Sequence, residues 1–154
     1  MVDSMLGKLA KWLRILGFDT RYERLDGREQ IERYQKQAFL IITRNRKWSG
    51  QIGVFCLAAN DPIEQLREVA SLVHLTSKEF RLLQRCVRCN EQLKDTAREE
   101  AMGQVPDYVF ATHASFYRCP NCLRIYWPGS HPERMIERLR QKLGWDVPEG
   151  SVAW

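Results

Sequence analysis

Helical and strand-like spacings of apolar residues alternate along the first half of the chain. Residues 5–16 carry an apolar stripe at helical spacing, and Gly17 follows as a C-terminal stop. Residues 18–25 are typical of a short strand. The acids Asp26 and Glu29 are spaced as in a capping box and predict the start of a second helix.

Two apolar runs without a polar face follow this second helix. Residues 39–43 and 52–58 predict strands, and the second run is expected to be fully buried. Asp61 and Pro62 have the residue types of an N-cap and a first helical position, so they predict a third helix. Residues 73–76 are the candidate for a last strand.

Strands that alternate with helices predict a parallel sheet flanked by helices, so the expected fold class is α/β. In such sheets, binding sites form at the carboxyl edge of the strands. Asp3, Asp26, Asn45 and Asp61 each follow one of the predicted strands. We therefore expect these four side chains at the same edge.

The second half of the chain has a different character. It contains two Cys-x-x-Cys pairs, no long helix, and two segments, 108–112 and 115–119, that we expect to be short strands. Ser130 and Glu133 predict the cap of a final amphipathic helix with a basic polar face. The predicted domains are an α/β domain, a cysteine domain, and a terminal helix with its tail, at residues 1–81, 82–130 and 131–154.

Four of the five cysteines form the pairs Cys86/Cys89 and Cys119/Cys122. Each pair places two thiolates on a tight turn, which is half of a tetrahedral zinc site. Four thiolates leave no open coordination position, so the predicted zinc is structural and stabilises a segment too small to bury its own core. Two disulfides, or reduced thiols without a metal, are the alternatives. Cys56 is expected to be a buried apolar side chain.

The composition is that of a soluble globular protein. Apolar residues make up 44% of the chain, no apolar run is long enough to cross a bilayer, and no leader is visible at its start. We therefore expect a cytoplasmic protein with no membrane partner and no organic cofactor. The net charge of +5 is compatible with a polyanionic partner such as RNA.

Metal-dependent hydrolysis of nucleic acids needs several oxygen ligands in one pocket. The polar residues at the predicted sheet edge can supply these oxygens. The alternative is that the aspartates cap helices, and the residues alone favour that interpretation for each of them.

Six sequence blocks occur together in the chain: VDSMLGKLAKWLRILGFDT, the isolated Asp26, LIITRNR, EQLREV, RCVRCN and CPNCLRIYWPGSH. Together they resemble the Mut-seven C-terminal RNase family. The resemblance implies a PIN-like nuclease domain followed by a zinc ribbon, and a metal-dependent ribonuclease activity that is inferred in this family largely from its fold. It matches Asp3 and Asp26 to the first two family aspartates, and the four paired cysteines to the zinc ligands.

The chain departs from the family pattern in two places. The family has T-R-D-R after the third strand, whereas residues 43–46 are T-R-N-R. Asn45 offers a neutral carbonyl oxygen, so it is a weaker ligand for Mg²⁺ or Mn²⁺ than aspartate. The family also has several apolar residues before its first aspartate, and only two residues precede Asp3 here. Either the first strand is very short, or the recorded start lies downstream of the true one.

Basic and aromatic residues are the candidate contacts to RNA. Arg44 and Arg46 flank the predicted pocket, Lys8 and Lys11 lie on the first helix, and Trp127 is a candidate stacking platform for single-stranded bases. The alternatives are a solvated helix face that comprises Lys8, Lys11 and Arg14, and a place in the core of the cysteine domain for Trp127.

The resulting hypothesis is a metal-dependent ribonuclease with a structural zinc. Asp3 and Asp26 are expected to hold a catalytic Mg²⁺ or Mn²⁺, with Asn45 and Asp61 as third and fourth ligands. One alternative is an RNA-binding module that Asn45 has made catalytically silent. A further alternative is a zinc-ribbon protein that binds another protein.

Overall fold

The structure is a computed structural model that describes residues 1–82 and 84–145. The chain divides into two compact units: Met1–Leu13 with Asp19–Thr76, and Arg14–Phe18 with Ser77–Trp154. The domain boundaries expected from the sequence stay a prediction. Within the described ranges, none of the helices has the length and apolar character that a bilayer crossing needs.

A parallel sheet of four strands organises the first unit. Its strands are β1 (Val2–Asp3), β2 (Tyr22–Glu23), β3 (Ile41–Thr43) and β4 (Val54–Cys56), in the order β2-β1-β3-β4. In β1, Val2 pairs with Tyr22 on one side and with Ile42 on the other. The predicted α/β fold class with a parallel sheet is therefore confirmed.

Three helices accompany the sheet. A 3₁₀ turn at Ser4–Leu6 leads into α1 (Gly7–Ile15), which is followed later in the chain by α2 (Arg28–Lys36) and α3 (Pro62–Leu72). The predicted apolar stripe is buried at Leu6, Leu9, Leu13 and Leu16, whereas its first residue, Met5, is exposed.

One core cluster lies between the sheet and α2. It consists of Met1, Leu25, Ile31, Tyr34, Ile41 and Trp48, with Phe39 and Val54 partly buried against it. Successive strand residues point to opposite faces, so Met1 and Ile41 face this cluster while Val2 and Ile42 are buried on the other face. This alternation fixes the side of the sheet on which each residue lies.

Three sequence-based expectations for this unit are wrong. Strand β4 is half-buried rather than fully buried, because it is an edge strand of the sheet. Residues 73–76 form no strand, since Val73 is the C-cap of α3 and the chain turns directly afterwards. The expected capping box does not form, because Gly27 is the N-cap of α2 and no side chain caps that helix.

A smaller antiparallel sheet organises the second unit. Strands β5 (Lys94–Thr96), β6 (Phe116–Arg118) and β7 (Ile125–Tyr126) lie in the order β5-β6-β7. Two short helices, α4 (Arg98–Ala101) and α5 (Asp107–Thr112), connect β5 to β6. The strand expected at 115–119 is confirmed as β6.

The strand expected at 108–112 is wrong, because this segment is α5. A short apolar run does not distinguish a strand from a buried helical turn. Here Val109 joins a small core with four other buried residues, while Tyr108 is exposed to solvent. The core comprises Ala101, Val105, Val109, Phe116 and Ile125, with Phe110 and Trp127 partly buried against it.

The terminal helix α6 (Ser130–Leu143) begins after Gly129, which is its N-cap, and ends at Gly144 in a left-handed conformation. Leu139 of this helix is fully buried. Residues 146–154 of the predicted terminal segment lie outside the described residues.

Candidate functional site

Asp3 lies at the carboxyl end of the central strand β1. The chain passes from β1 to β2 on one side and then returns to β3 on the other, so β1 and β3 flank the point where the connections diverge. In open α/β sheets, ligands bind outside the carboxyl ends of the strands at such a switch point. Although it lies at this edge, the Asp3 side chain is almost fully buried.

Three donors hold the Asp3 carboxylate in one orientation. The Thr43 hydroxyl donates to Oδ2 at 2.5 Å. The Leu25 amide donates to Oδ1 at 3.3 Å, and the Ser4 hydroxyl approaches Oδ1 at 3.4 Å. Because Leu25 follows β2 and Thr43 ends β3, the carboxylate is fixed from both neighbouring strands.

Thr43 connects Asp3 to Asn45. Its Oγ1 accepts the Asn45 amide at 3.0 Å, which directs the hydroxyl proton toward Asp3. The Asn45 side-chain oxygen accepts the Lys47 amide at 3.1 Å and caps the 3₁₀ turn Arg46–Trp48. Sequence reasoning did not single out Thr43; the only signal was a polar residue at the end of an apolar strand.

Asp26 and Asp61 differ in how their carboxylates are used. Asp61 Oδ1 accepts the amides of Ile63 at 2.8 Å and Glu64 at 3.2 Å, so Asp61 is the N-cap of α3. Asp26 caps no helix; its carboxylate is exposed and lies 2.9 Å from Arg24 Nε. Capping therefore describes Asp61 but is wrong for Asp26.

The three aspartates do not converge into a closed cage. In the described part of the chain, the one group of three or more Cys, His, Asp or Glu side chains whose ligand atoms lie within 4.8 Å of one another consists of cysteines. Mg²⁺ usually keeps several waters and is bound by one or two carboxylates together with substrate phosphates. Asp3 and Asp26 offer carboxylate oxygens, which is the ligand type that such an open site uses.

The loop after β4 is braced by α3. Glu68 accepts the amides of Ala58 and Ala59 at 3.0 and 2.8 Å. Gln65, which is buried, donates to the carbonyls of Ala59 and Asn60 at 3.0 and 3.2 Å. The Arg44 guanidinium bonds to the Asn60 side chain, which joins the ends of β3 and β4.

The paired cysteines converge in the second unit. Cys86, Cys89, Cys119 and Cys122 place their sulfur atoms within 4.8 Å of one another, and none forms a disulfide. The Sγ atoms of Cys86 and Cys122 are 3.7 Å apart. A tetrahedral site with Zn–S bonds of about 2.3 Å requires sulfur separations of about 3.8 Å, so the donor set fits zinc.

The two cysteine turns have matching geometry. The Cys89 amide donates to Cys86 Sγ at 3.3 Å, and the Cys122 amide donates to Cys119 Sγ at 3.5 Å. The residue after each pair is left-handed, with φ of 68° at Asn90 and 58° at Leu123. Each turn therefore aims backbone N–H groups at its own sulfur atom.

Cys86 has a further polar neighbour, Tyr126, whose hydroxyl oxygen lies 3.1 Å from Cys86 Sγ. Burial acts to raise the pKa of the Cys86 thiol. Hydrogen bonds from the Tyr126 hydroxyl and from backbone amides, including that of Cys89, outweigh this effect and lower the pKa to about 7.

A sequence profile of the Mut7-C RNAse domain matches residues 1–139. The chain belongs to the Mut7-C RNase family. This membership confirms the family resemblance stated from the sequence. No curated protein and no solved structure matches the chain.

The candidate RNA contacts of this Mut7-C RNase domain differ in how exposed their side chains are and in whether they already have a partner. Lys8, Lys11 and Arg46 are exposed, whereas Arg44 is bonded to Asn60. Trp127 is partly buried against the small core of the second unit. Its indole Nε1 lies 3.1 Å from the position that a β-carbon would take at Gly129.

Arg14 does not belong to a solvated face of α1, because it is buried. Its Nη1 donates to the carbonyls of Val87 and Arg88 at 3.0 and 2.9 Å. These carbonyls belong to the turn between Cys86 and Cys89, so Arg14 holds the first cysteine turn of the Mut7-C RNase domain in place.

Proposed function

We propose that the protein is a metal-dependent ribonuclease that hydrolyses RNA phosphodiester bonds at the carboxyl edge of the four-stranded sheet. One observation carries the proposal: in a Mut7-C RNase domain, the Asp3 carboxylate is buried at the switch point and held there by Thr43. Burying a carboxylate lowers the folding free energy gained by the chain, so its burial at this edge is more easily explained by a function than by stability.

Asp3 is the central ligand for a catalytic Mg²⁺ or Mn²⁺ in this proposal. Asp26 is the second, because its exposed carboxylate is not needed for capping. Asn45 is the third and offers a neutral oxygen, and Asp61 is a fourth whose Oδ1 already accepts two amides. The chemistry supplied by the bound ion is activation of water and stabilisation of charge during in-line displacement at phosphorus.

The chain itself positions the reacting groups. Thr43 keeps the Asp3 carboxylate in a fixed orientation, and Asn45 stabilises the turn that carries Arg46 and Lys47. The exposed Lys8, Lys11 and Arg46 are proposed contacts to the RNA phosphates. Arg44 joins them only if RNA displaces its bond to Asn60. Trp127 is proposed to stack on an unpaired base with the part of its ring that stays exposed.

We propose that the four cysteines bind one structural zinc ion. All four coordination positions are filled by sulfur, so this ion has no place for water or substrate. Its contribution is folding free energy for the second unit.

A second candidate function is RNA binding without cleavage. The side-chain oxygen of Asn45 is neutral and already accepts the Lys47 amide, so the pocket has less charge to hold a divalent cation than the family pattern provides. In this case the basic residues bind RNA and Asp3 serves only the fold.

One experiment separates the two functions. Binding and cleavage of labelled single-stranded and hairpin RNAs are measured on the same purified protein, with Mg²⁺, with Mn²⁺ and with excess EDTA. Cleavage that requires the divalent ion supports the ribonuclease. Binding without cleavage under every metal condition supports the binding module and contradicts the proposed activity.

A further inference from the structure

The Tyr126 hydroxyl lies 3.1 Å from Cys86 Sγ, a sulfur atom without solvent exposure. Four thiolates around one Zn²⁺ leave an excess of negative charge in a buried place. Each N–H or O–H group that donates to sulfur offsets part of this charge, so the donors around the cysteines affect how well zinc is held.

The fold aims this hydroxyl at the sulfur. Tyr126 lies in β7, which pairs with β6 directly before Cys119. The Tyr126 hydroxyl oxygen and Cys86 Sγ are within hydrogen-bond distance of each other. A zinc-bound thiolate has no proton to donate, so in this contact the hydroxyl is the donor and Cys86 Sγ is the acceptor.

The turn that follows Cys86 is itself held in place. Arg14, which is buried, donates to the carbonyls of Val87 and Arg88. Arg85 donates from Nη1 to the Asn90 carbonyl at 2.9 Å, at the end of the same turn. The distance between the hydroxyl and the sulfur is therefore set by a braced turn on one side and a strand pair on the other.

The two buried sulfur atoms are not equivalent. Cys86 Sγ has the Cys89 amide and the Tyr126 hydroxyl as donors. Cys119 Sγ has the amide of Cys122 at the longer distance of 3.5 Å. Of these two proposed zinc ligands, Cys86 is therefore the one whose sulfur accepts from a side chain, that of Tyr126.

We propose that Tyr126 is a positioning residue for the zinc centre, whose hydroxyl donates a hydrogen bond to the Cys86 thiolate. This bond orients the sulfur, lowers its nucleophilicity and slows the loss of zinc. The inference rests on the proposed zinc site and is independent of the ribonuclease activity.

Tyr126→Phe removes only the hydroxyl, and Tyr108→Phe removes the same group from an exposed tyrosine of the same unit. Zinc affinity is measured by competition with a chromophoric chelator. Loss of an outer-shell hydrogen bond typically weakens metal binding by about 10–100-fold, so we expect that change for Tyr126→Phe and wild-type affinity for Tyr108→Phe.

Two further readouts separate a hydrogen bond to sulfur from a role in packing. In the Co²⁺-substituted protein, Tyr126→Phe is expected to shift the sulfur-to-cobalt charge-transfer band to longer wavelength, because the thiolate becomes more electron-rich. In the zinc protein, iodoacetamide is expected to alkylate Cys86 faster. A Tyr126→Phe protein with wild-type affinity, spectrum and alkylation rate overturns the inference.

The wild-type protein provides a test that does not depend on the variant folding. In the ¹¹³Cd-substituted protein, the Tyr126 hydroxyl proton is expected to show scalar coupling to the metal through Cys86 Sγ. If the Cys89 amide shows this coupling and the hydroxyl does not, the inference is wrong. If the wild-type protein binds no zinc, the zinc site itself is refuted. If it binds zinc but the hydroxyl shows no coupling, only the role of Tyr126 is refuted.

Discussion

The Thr43 hydroxyl donates to Asp3 Oδ2 at 2.5 Å, from the strand beside the one that ends in Asp3. Thr43 has no solvent exposure, so water does not replace this donor when it is removed. The hydroxyl oxygen of Thr43 also accepts a hydrogen bond from the Asn45 amide at 3.0 Å. One hydroxyl therefore links two of the proposed metal ligands.

Thr43→Val is expected to weaken both folding and activity. It leaves a buried carboxylate without one of its donors, which typically costs about 1–3 kcal/mol of unfolding free energy or more. Urea unfolding measures this loss. In the RNA cleavage assay, kcat is expected to fall with little change in KM, because the Asp3 carboxylate loses its fixed orientation.

Thr43→Ser is the matched control, since it keeps the hydroxyl and removes a methyl group. It is expected to retain most of the activity. Equal activity in Thr43→Val and wild type would show that the link between Thr43 and Asp3 has no part in catalysis.

Asn45→Asp is expected to lower the Mg²⁺ concentration needed for half-maximal cleavage. Aspartate can still accept the Lys47 amide, so the turn is retained, while the pocket gains a negative charge that a hard cation prefers. Metal titrations of the cleavage rate compare the two proteins. An unchanged metal requirement would exclude residue 45 as a ligand.

Lys8→Ala combined with Lys11→Ala is expected to reduce the salt dependence of RNA binding. Each lost phosphate contact to a single strand lowers the slope of log K against log salt by about 0.7, so two contacts correspond to about 1.4. Binding to labelled RNA is measured over a range of salt concentrations. A control protein carries alanine at the exposed Lys36 and Lys94. Equal slopes in the two double variants would indicate that Lys8 and Lys11 belong to a solvated face of α1 and do not contact RNA.

Removal of zinc is expected to unfold the second unit. Elemental analysis should give one zinc per chain in wild type and in Cys56→Ser, and none in Cys119→Ser, because Cys119 belongs to the sulfur cluster and Cys56 does not. A strong chelator should lower the helical circular dichroism of the wild-type protein. Wild-type protein that contains no zinc would contradict the proposed metal site.

The α/β fold and the cysteine cluster were predictable because each leaves a local pattern. Alternating strand and helix spacing predicted the sheet, and two Cys-x-x-Cys pairs predicted the sulfur cluster. The exposure of β4 and the helix at Asp107–Thr112 were not predictable, because they depend on which neighbours a short apolar segment finds.

The residues that support the sites were the hardest to foresee. Helical spacing placed Arg14 away from the apolar stripe, but its carbonyl acceptor on Val87 lies 73 residues further along the chain. Thr43 looks like an ordinary strand residue in the sequence. Its role as a donor to Asp3 follows from the register of β1 and β3. Asp26 and Asp61 were both candidates for helix caps, and the observed helix starts show that Asp61 alone of the two is an N-cap.

Asp3 provides the most direct test of the proposed activity. The initial rate of RNA cleavage in saturating Mg²⁺ or Mn²⁺ is compared among wild type, Asp3→Asn and the control Asp107→Asn, which changes an exposed aspartate of the second unit. Circular dichroism at the assay temperature verifies that each protein is folded. We predict metal-dependent cleavage by wild type and Asp107→Asn, and none above the EDTA background by Asp3→Asn. Cleavage by folded Asp3→Asn at the wild-type rate would contradict a ribonuclease site at this residue.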